Sequence, residues 1–127
     1  LPLLDNPKAA VRETAALINV WGPQAAHSYG VVTKDYKYIY WPYEAGVNFE
    51  PTEELYHLAR DPHELRNLIG QPSQTLRELR LIYDRAVIEW KKKAVAYHGY
   101  QEYGEIFDRS IPWVQAAKKS KDRGKSK

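Results

Sequence analysis

Two strand-like runs separated by only two residues constrain the fold of this chain most. Residues 28–33 and 36–41 are rich in β-branched and aromatic side chains, and three tyrosines alternate with other residues in the second run. A period of two is typical of a β-strand with two different faces. Lys34 and Asp35 therefore predict a tight antiparallel hairpin, and the lack of glycine in this pair leaves a bulged or longer turn open.

Two more strands complete the predicted sheet. Residues 14–21 end at a Gly-Pro breaker, and their β-branched and aromatic content indicates a short strand. Residues 54–58 supply the fourth strand. Because Pro42 removes a backbone donor, residues 42–53 are predicted to form the loop between the third and fourth strands.

The first helix start is predicted directly after the fourth strand. Asp61, Pro62 and Glu64 are the residue types of a helix N-terminus, with Glu64 as the capping-box partner. A short helix is therefore expected to begin here and to end by Gly70.

An amphipathic pattern then predicts a longer helix over residues 73–93, capped by Ser73 or Thr75. Its apolar residues recur at steps of three and four: Leu76, Leu79, Tyr83, Ala86 and Trp90. Burying the four large ones, at about 2 kcal/mol each, stabilises the fold only if another element covers the stripe. The predicted fold class is therefore α+β: a small antiparallel β-sheet of about four strands packed against a C-terminal α-helix.

The length and charge of the chain limit its function classes. A chain of 127 residues is expected to form one modest core. Its net charge is +3, but residues 118–127 carry +5, so residues 1–117 carry −2. The folded part is thus faintly acidic, which disfavours nucleic acid as a partner. No apolar run reaches the roughly 18 residues that cross a bilayer, so no membrane partner is expected either.

The most specific pattern in the chain lies at residues 54–68. Taken alone, it is a strand that leads through a capped turn, with polar residues in local backbone roles. Its order, Glu-Leu-Tyr followed by Asp-Pro-x-Glu-x-x-Asn-Leu, resembles the segment near the end of sulfatases, which hydrolyse sulfate esters. The hairpin at 31–39, the helix that ends at Trp90 and the opening residues 1–7 are also similar to that family. The resemblance covers about residues 1–93.

The resemblance implies a piece of a larger enzyme of the alkaline-phosphatase-like superfamily, in which phosphonate and other ester hydrolases have related endings. It divides the chain into a linker from a missing N-terminal catalytic domain (1–13), a sulfatase C-terminal subdomain (14–93), an aromatic extension (94–117) and a basic disordered tail (118–127). Because the sequence contains no Met, the native start is expected to lie elsewhere. The implied parent protein is exported, periplasmic or secreted, and acts on a sulfated carbohydrate.

No cofactor, metal or catalytic residue is predicted in this chain itself. In the parent, the resemblance implies a formylglycine hydrate as the nucleophile, made from Cys or Ser in a Cys/Ser-x-Pro-x-Arg motif, and a bound calcium ion that neutralises sulfate charge. This chain has no Cys, and its nearest string, at residues 110–114, lacks the required Arg. The four histidines include no pair at i and i+4, so no metal site is expected from them.

His27 and Tyr29 are the candidate substrate-binding residues. His27 precedes the second strand, and it resembles a polar position at which some glycosaminoglycan-type sulfatases turn this subdomain towards the substrate cleft. Tyr29 and the 42–53 loop share this candidacy. A surface or sheet-edge position is the alternative for His27. The tyrosines of residues 36–41 predict either an aromatic platform for sugar or core packing.

Two other function classes remain as alternatives. One is an autonomous binding module for anionic polysaccharide, which would use exposed aromatic rings and the 118–127 tail and would weaken with salt. The other is nucleic-acid binding, which the acidic balance of the folded part disfavours. The sulfatase interpretation predicts instead that the isolated chain has no turnover. It also predicts a large exposed apolar patch, either on one sheet face or on residues 97–113.

Overall fold

A four-stranded antiparallel sheet with a long helix across one face forms the centre of the domain. The computed structural model describes residues 12–20, 27–43 and 50–111. Its elements, in chain order, are β1 (Ala15–Asn19), β2 (Ser28–Val32), β3 (Tyr36–Trp41), β4 (Thr52–His57), α1 (Gln74–Lys93), a 3₁₀ helix (Tyr97–Gly99) and α2 (Tyr100–Ile106). The predicted α+β class, an antiparallel four-stranded sheet with a long C-terminal helix, is confirmed.

The pairing register places the large apolar side chains of the sheet on one face. The strands follow chain order, β1-β2-β3-β4, and each pairs antiparallel with the next. Val31 lies opposite Tyr38, which in turn lies opposite Leu55. Because side chains alternate along a strand, all three project to the same face, and they form one buried cluster with the apolar stripe of α1.

The hairpin between β2 and β3 turns on Lys34 and Asp35, as the spacing predicts. Thr33 donates its backbone N–H to the Tyr36 carbonyl at 2.8 Å, and its hydroxyl accepts the Tyr36 N–H at 3.1 Å. Both turn residues keep a negative φ, since the positive values among described non-glycine residues occur elsewhere. The turn is therefore not type I′, and the Thr33 side chain helps to close it.

Helix α1 begins where the sequence predicts and buries one stripe against the sheet. The Ser73 hydroxyl accepts the Leu76 N–H at 3.1 Å, which satisfies one free amide of the first turn. Three lysines occupy the last turn, where the helix dipole favours positive charge. The buried residues are Leu76, Leu79, Tyr83 and Val87. The predicted stripe lacks Val87, and two of its members, Ala86 and Trp90, are only partly buried.

Residues 94–111 fold back onto α1 and complete the core. Helix α2 lies beside α1, and Phe107, directly after α2, is 1% exposed. The Tyr83 hydroxyl donates to the Phe107 carbonyl at 2.7 Å, and the Phe107 ring stacks on Tyr29 with 5.4 Å between ring centroids. Fully burying such a side chain contributes about 1.5–3 kcal/mol before the entropy of ordering. Within the described part of the aromatic extension, Phe107 therefore belongs to the core.

Residues 61–70 form a turn, and the prediction of a short helix there is wrong. Asp61 does cap this segment, since its carboxylate accepts the N–H groups of two following residues at 3.0 and 2.8 Å. Glu64 then adopts a φ of 55°, in the left-handed region, which takes the chain off a helical path. The Glu64 carboxylate binds the Lys37 ammonium at 2.6 Å and does not return to the cap.

Strand β4 begins at Thr52, two residues before the predicted start of the fourth strand. Thr52 pairs with Trp41, so β4 follows β3 along the whole length of that strand. The predicted 42–53 loop is correspondingly shorter. Its residues 44–49, most of the predicted linker and the whole basic tail lie outside the described residues. None of the described helices combines the length and hydrophobicity needed to cross a membrane.

Candidate functional site

The two candidate substrate residues lie inside the domain, at the start of β2. His27 is 3% exposed, and its ring meets the Tyr103 ring edge-on with 5.4 Å between centroids. Tyr29 is 4% exposed, and its ring packs edge-on against Tyr83 and Trp90. Burial raises the pKa of the Tyr29 hydroxyl. Their role in binding substrate stays a prediction, and the structure adds that both rings pack within the core.

The tyrosines of β3 divide between the core and its rim. Tyr38 and Tyr40 are 0% and 8% exposed, and both meet the Tyr83 ring edge-on. Core packing is therefore the correct interpretation for these two side chains. Tyr36, at the other end of the strand, is partly exposed and lies against His57 with 4.4 Å between ring centroids.

A cleft of about 390 Å³ opens beside Tyr36, between the end of β4 and the start of α1. Sites for small molecules have volumes of about 300–1,000 Å³, so the cleft can hold a small ligand. Its polar lining, apart from Tyr36, comes from His57, Arg60, Asp61, Arg66, Gln71, Ser73 and Thr75. The elements that build it are one strand end, the 61–70 turn and the first turn of α1.

The cleft contains two guanidinium groups that no described carboxylate neutralises. The side chains of Arg60 and Arg66 are exposed, and within the described residues neither forms an ion pair or a hydrogen bond. Asp61 is the one acidic residue in the lining, and hydrogen bonds from the backbone N–H groups that follow it lower the pKa of its carboxyl. The Nδ1 atom of His57 is buried and has no hydrogen-bond partner among the described residues.

The local fold places both arginines at this cleft through backbone bonds around Asp61. The Arg60 N–H donates to the His57 carbonyl at 3.1 Å, and the Arg66 N–H donates to the Asp61 carboxylate at 2.8 Å. The Asn67 side chain accepts the Leu55 N–H at 3.0 Å and so ties the turn back to β4. The sequence pattern predicts backbone roles for these polar residues and does not single out the arginines. The available signal was two basic residues flanking an Asp-Pro turn.

A second polar cluster joins β3, β4, α1 and the segment after α2; we call Tyr38, Glu53, Arg80, Asp84 and Arg109 the Glu53 cluster. Arg80 donates to the Glu53 carboxylate at 2.8 and 2.9 Å, and the Tyr38 hydroxyl also donates to it. Arg109 forms a two-point pair with Asp84 at 3.0 and 3.1 Å. Burial raises the pKa of Glu53, but the hydrogen bonds from Arg80 and Tyr38 outweigh it, and the pKa is lowered. Because its charges are paired, the cluster serves to hold β3, β4, α1 and the segment after α2 together.

Large apolar side chains are exposed on β1, at Leu65 in the 61–70 turn, on the outer side of α1 and in the segment after α1. Leu17 and Ile18, on β1, are 41% and 42% exposed, and β2 is the one neighbour of β1 among the described strands. After α1, Val95 and Tyr97 are 60% and 72% exposed. Of these residues, Tyr97 lies in the 97–113 segment where the sulfatase interpretation expects an apolar surface, whereas Leu17 and Ile18 project to opposite faces of the sheet.

The residues of this chain do not fit the cofactors implied for the parent. In the ranges that the structure describes, no group of three or more His, Cys, Asp or Glu side chains could hold a metal ion. The sequence also lacks Cys and a Cys/Ser-x-Pro-x-Arg string from which formylglycine would form. We therefore derive no chemical step through calcium or formylglycine in this chain.

The α+β architecture is shared with part of a larger solved protein. The larger protein is BT4656, whose structure was determined in complex with its substrate D-glucosamine-2-N,6-O-disulfate. The two chains superpose with a TM-score of 0.57 at 23% sequence identity. The match covers 73% of this chain and 19% of the BT4656 chain, so this chain spans about a fifth of the length of that protein.

The other comparisons add no relative. No protein-family model matches the sequence, and no curated protein matches it. The likeness to BT4656 therefore establishes a common fold.

Proposed function

We propose that this chain is the C-terminal subdomain of a sulfatase that acts on a sulfated carbohydrate. The observation that carries the proposal is the common fold with a fifth of BT4656, whose substrate is a disulfated glucosamine. The sequence pattern at residues 54–68 independently resembles the end of sulfatases. A sulfated sugar is also the class of substrate that this resemblance implies for the parent.

In this proposal the chain packs against an N-terminal catalytic domain of the same protein and has no turnover of its own. Exposed apolar side chains support it, because such surface on a small domain marks an interface. Leu17, Ile18, Val95 and Tyr97 supply that surface. The formylglycine and the calcium ion would both belong to the catalytic domain. His27 and Tyr29 remain the proposed substrate-binding residues, although both are buried in this chain and would have to become accessible beside the catalytic domain.

The proposal is tested by the coding sequence that precedes this chain, followed by an assay. The full protein is expected to contain a Cys/Ser-x-Pro-x-Arg motif and to release sulfate from D-glucosamine-2-N,6-O-disulfate. The 127-residue chain alone, at the same concentration, is expected to release none. A full protein without the motif, or sulfate release by the isolated chain at the rate of the full protein, contradicts the proposal.

A further inference from the structure

We propose that the cleft between β4 and α1 binds a tetrahedral oxyanion, sulfate or phosphate, through Arg60 and Arg66. The inference rests on the lining of the cleft and does not depend on the proposed sulfatase function. It assigns a ligand to residues that sequence analysis treats only as backbone supports.

The charge of the lining favours an anion. Arg60 and Arg66 contribute two positive charges, and their side chains have no acidic partner among the described residues. A planar guanidinium presents several N–H donors in a fixed fork that matches the oxygens of sulfate and phosphate. Two such groups at one cleft concentrate donors that have no acceptor among the described residues.

The one carboxylate of the lining is already engaged. Asp61 accepts the N–H groups of Leu65 at 3.0 Å and Arg66 at 2.8 Å, so its oxygens are directed into the turn. The carboxylate of the neighbouring Glu64 binds the Lys37 ammonium at 2.6 Å and forms no ion pair with Arg60 or Arg66. The cleft therefore keeps an excess of positive charge.

Further polar groups suit an oxyanion that is attached to a larger molecule. Gln71 and Thr75 line the cleft with donor and acceptor groups, and the buried His57 Nδ1 has no hydrogen-bond partner among the residues that the structure describes. The volume of about 390 Å³ exceeds the needs of a single sulfate and accommodates a sugar ring as well. The Tyr36 ring, which is tilted by 51° against His57, supplies a partly apolar wall for the sugar ring.

The test is a titration of the 127-residue chain with sodium sulfate at constant ionic strength. The backbone amide NMR signals are recorded at each sulfate concentration. Constant ionic strength removes the general screening of surface charge. We expect saturable shifts confined to residues 57–76. In the double variant Arg60→Gln with Arg66→Gln, the dissociation constant is expected to rise about tenfold or more, since charge-assisted hydrogen bonds are lost.

Two other variants control for charge and for geometry. Arg85→Gln with Lys93→Gln removes two positive charges from exposed positions of α1 outside the cleft, and its dissociation constant is expected to stay within about twofold of wild type. Arg60→Lys with Arg66→Lys keeps the charge and loses the planar fork. Its affinity is expected to fall between those of wild type and the Gln variant.

Three probes separate the possible sources of the oxyanion: inorganic sulfate, inorganic phosphate and D-glucosamine-2-N,6-O-disulfate. Tighter binding of the disulfated sugar identifies an oxyanion carried on carbohydrate, and equal affinity identifies the free ion; both support the site. N-acetyl-D-glucosamine, which has no sulfate group, is expected not to bind. Binding of that sugar as tight as the disulfate, shifts that do not saturate, or equal affinity in the Arg60→Gln/Arg66→Gln variant would each overturn the proposal.

Discussion

Glu53 connects parts of the domain that are far apart in sequence. Its carboxylate accepts hydrogen bonds from Arg80, 27 residues later, and from Arg109, 56 residues later. Tyr38, on the neighbouring strand, donates to the same group. Hydrogen bonds to a charged group contribute about 1.5–3 kcal/mol when sheltered, and the side chain of Glu53 is only 22% exposed. Loss of this carboxylate therefore affects β3, β4, α1 and the segment after α2 together.

We predict that Glu53→Gln lowers the free energy of unfolding by about 2 kcal/mol at pH 7, because Arg80 loses its charged partner and Arg109 keeps only its pair with Asp84. Urea unfolding followed by circular dichroism measures the change. Glu78→Gln is the matched control, since among the described residues this exposed glutamate of α1 is hydrogen-bonded to Gln74 alone, in the same helix. The control is expected to change stability by less than about 0.5 kcal/mol.

The lowered pKa of Glu53 sets the pH dependence of this difference. A carboxyl whose pKa is lower in the folded state contributes stability above its unfolded pKa, near 4.5, and loses it as pH falls through the folded pKa. Wild type and Glu53→Gln are therefore expected to differ at pH 7 and to converge below pH 4.5. A difference that persists undiminished at pH 3 would contradict this account.

Single residues were the least predictable part of the molecule. His27 and Tyr29 were reached through a family resemblance, and their burial depends on rings from α1 and α2 that the sequence does not place beside them. The same limit hides the Glu53 cluster, whose members meet only in three dimensions. Arg60 and Arg66 are near each other in sequence, but whether an acidic side chain approaches them depends on the folded chain, and none does so in its described part.

At the scale of elements, β2 and β3 approach each other closely at one glycine. A Cβ atom on Gly30 would lie 2.6 Å from the Tyr38 carbonyl oxygen and 3.3 Å from Cγ1 of Ile39. The first of these neighbours is backbone in the centre of the sheet, which cannot move without disturbing the pairing of both strands. Glycine is therefore required here for space.

We predict that Gly30→Ala destabilises the domain by about 1–3 kcal/mol through this overpacking. Gly70→Ala is the matched control, because no heavy atom lies within 4 Å of its added methyl group. The control is expected to be neutral or to stabilise by up to about 1 kcal/mol, since alanine restricts the unfolded chain. Thermal and urea unfolding of both variants check the difference. Equal stability of the two variants would show that the sheet adjusts freely at Gly30.

Periodicity predicted the elements well where the pattern extends over a whole strand or helix. It placed β3 and α1 and the turn between β2 and β3, because alternation and three-to-four spacing report directly on faces. Capping signals were a poorer guide: at residues 61–70 they favour a helix, and the structure has a turn. In this segment the Glu64 carboxylate binds the Lys37 ammonium, and the Leu68 N–H donates to the Leu55 carbonyl at 2.8 Å. These tertiary contacts determine the backbone conformation.

At the scale of the whole molecule, the core extends beyond the region with a clear sequence pattern. Residues after 94 show no period, yet Phe107 is buried against Tyr29 and accepts a hydrogen bond from Tyr83. Aromatic residues without periodicity carry no signal for the element they will contact. The sheet and α1 were therefore predictable as a unit, whereas the return of the chain across α1 was not.

Strand β1 is where the domain exposes apolar surface along a sheet edge, and the proposed packing on a catalytic domain makes this edge testable. In the full protein, amide hydrogen exchange in β1 is expected to be slower than in the isolated chain, because a partner covers Leu17 and Ile18, which are 41% and 42% exposed here. Leu17→Lys would place a charge in that interface, so it is expected to return the β1 exchange rates of the full protein to those of the isolated chain. Leu81→Lys, at a 56% exposed position of α1, is expected to leave them unchanged. Equal β1 exchange in the isolated chain and the full protein would mean that the catalytic domain docks on another surface.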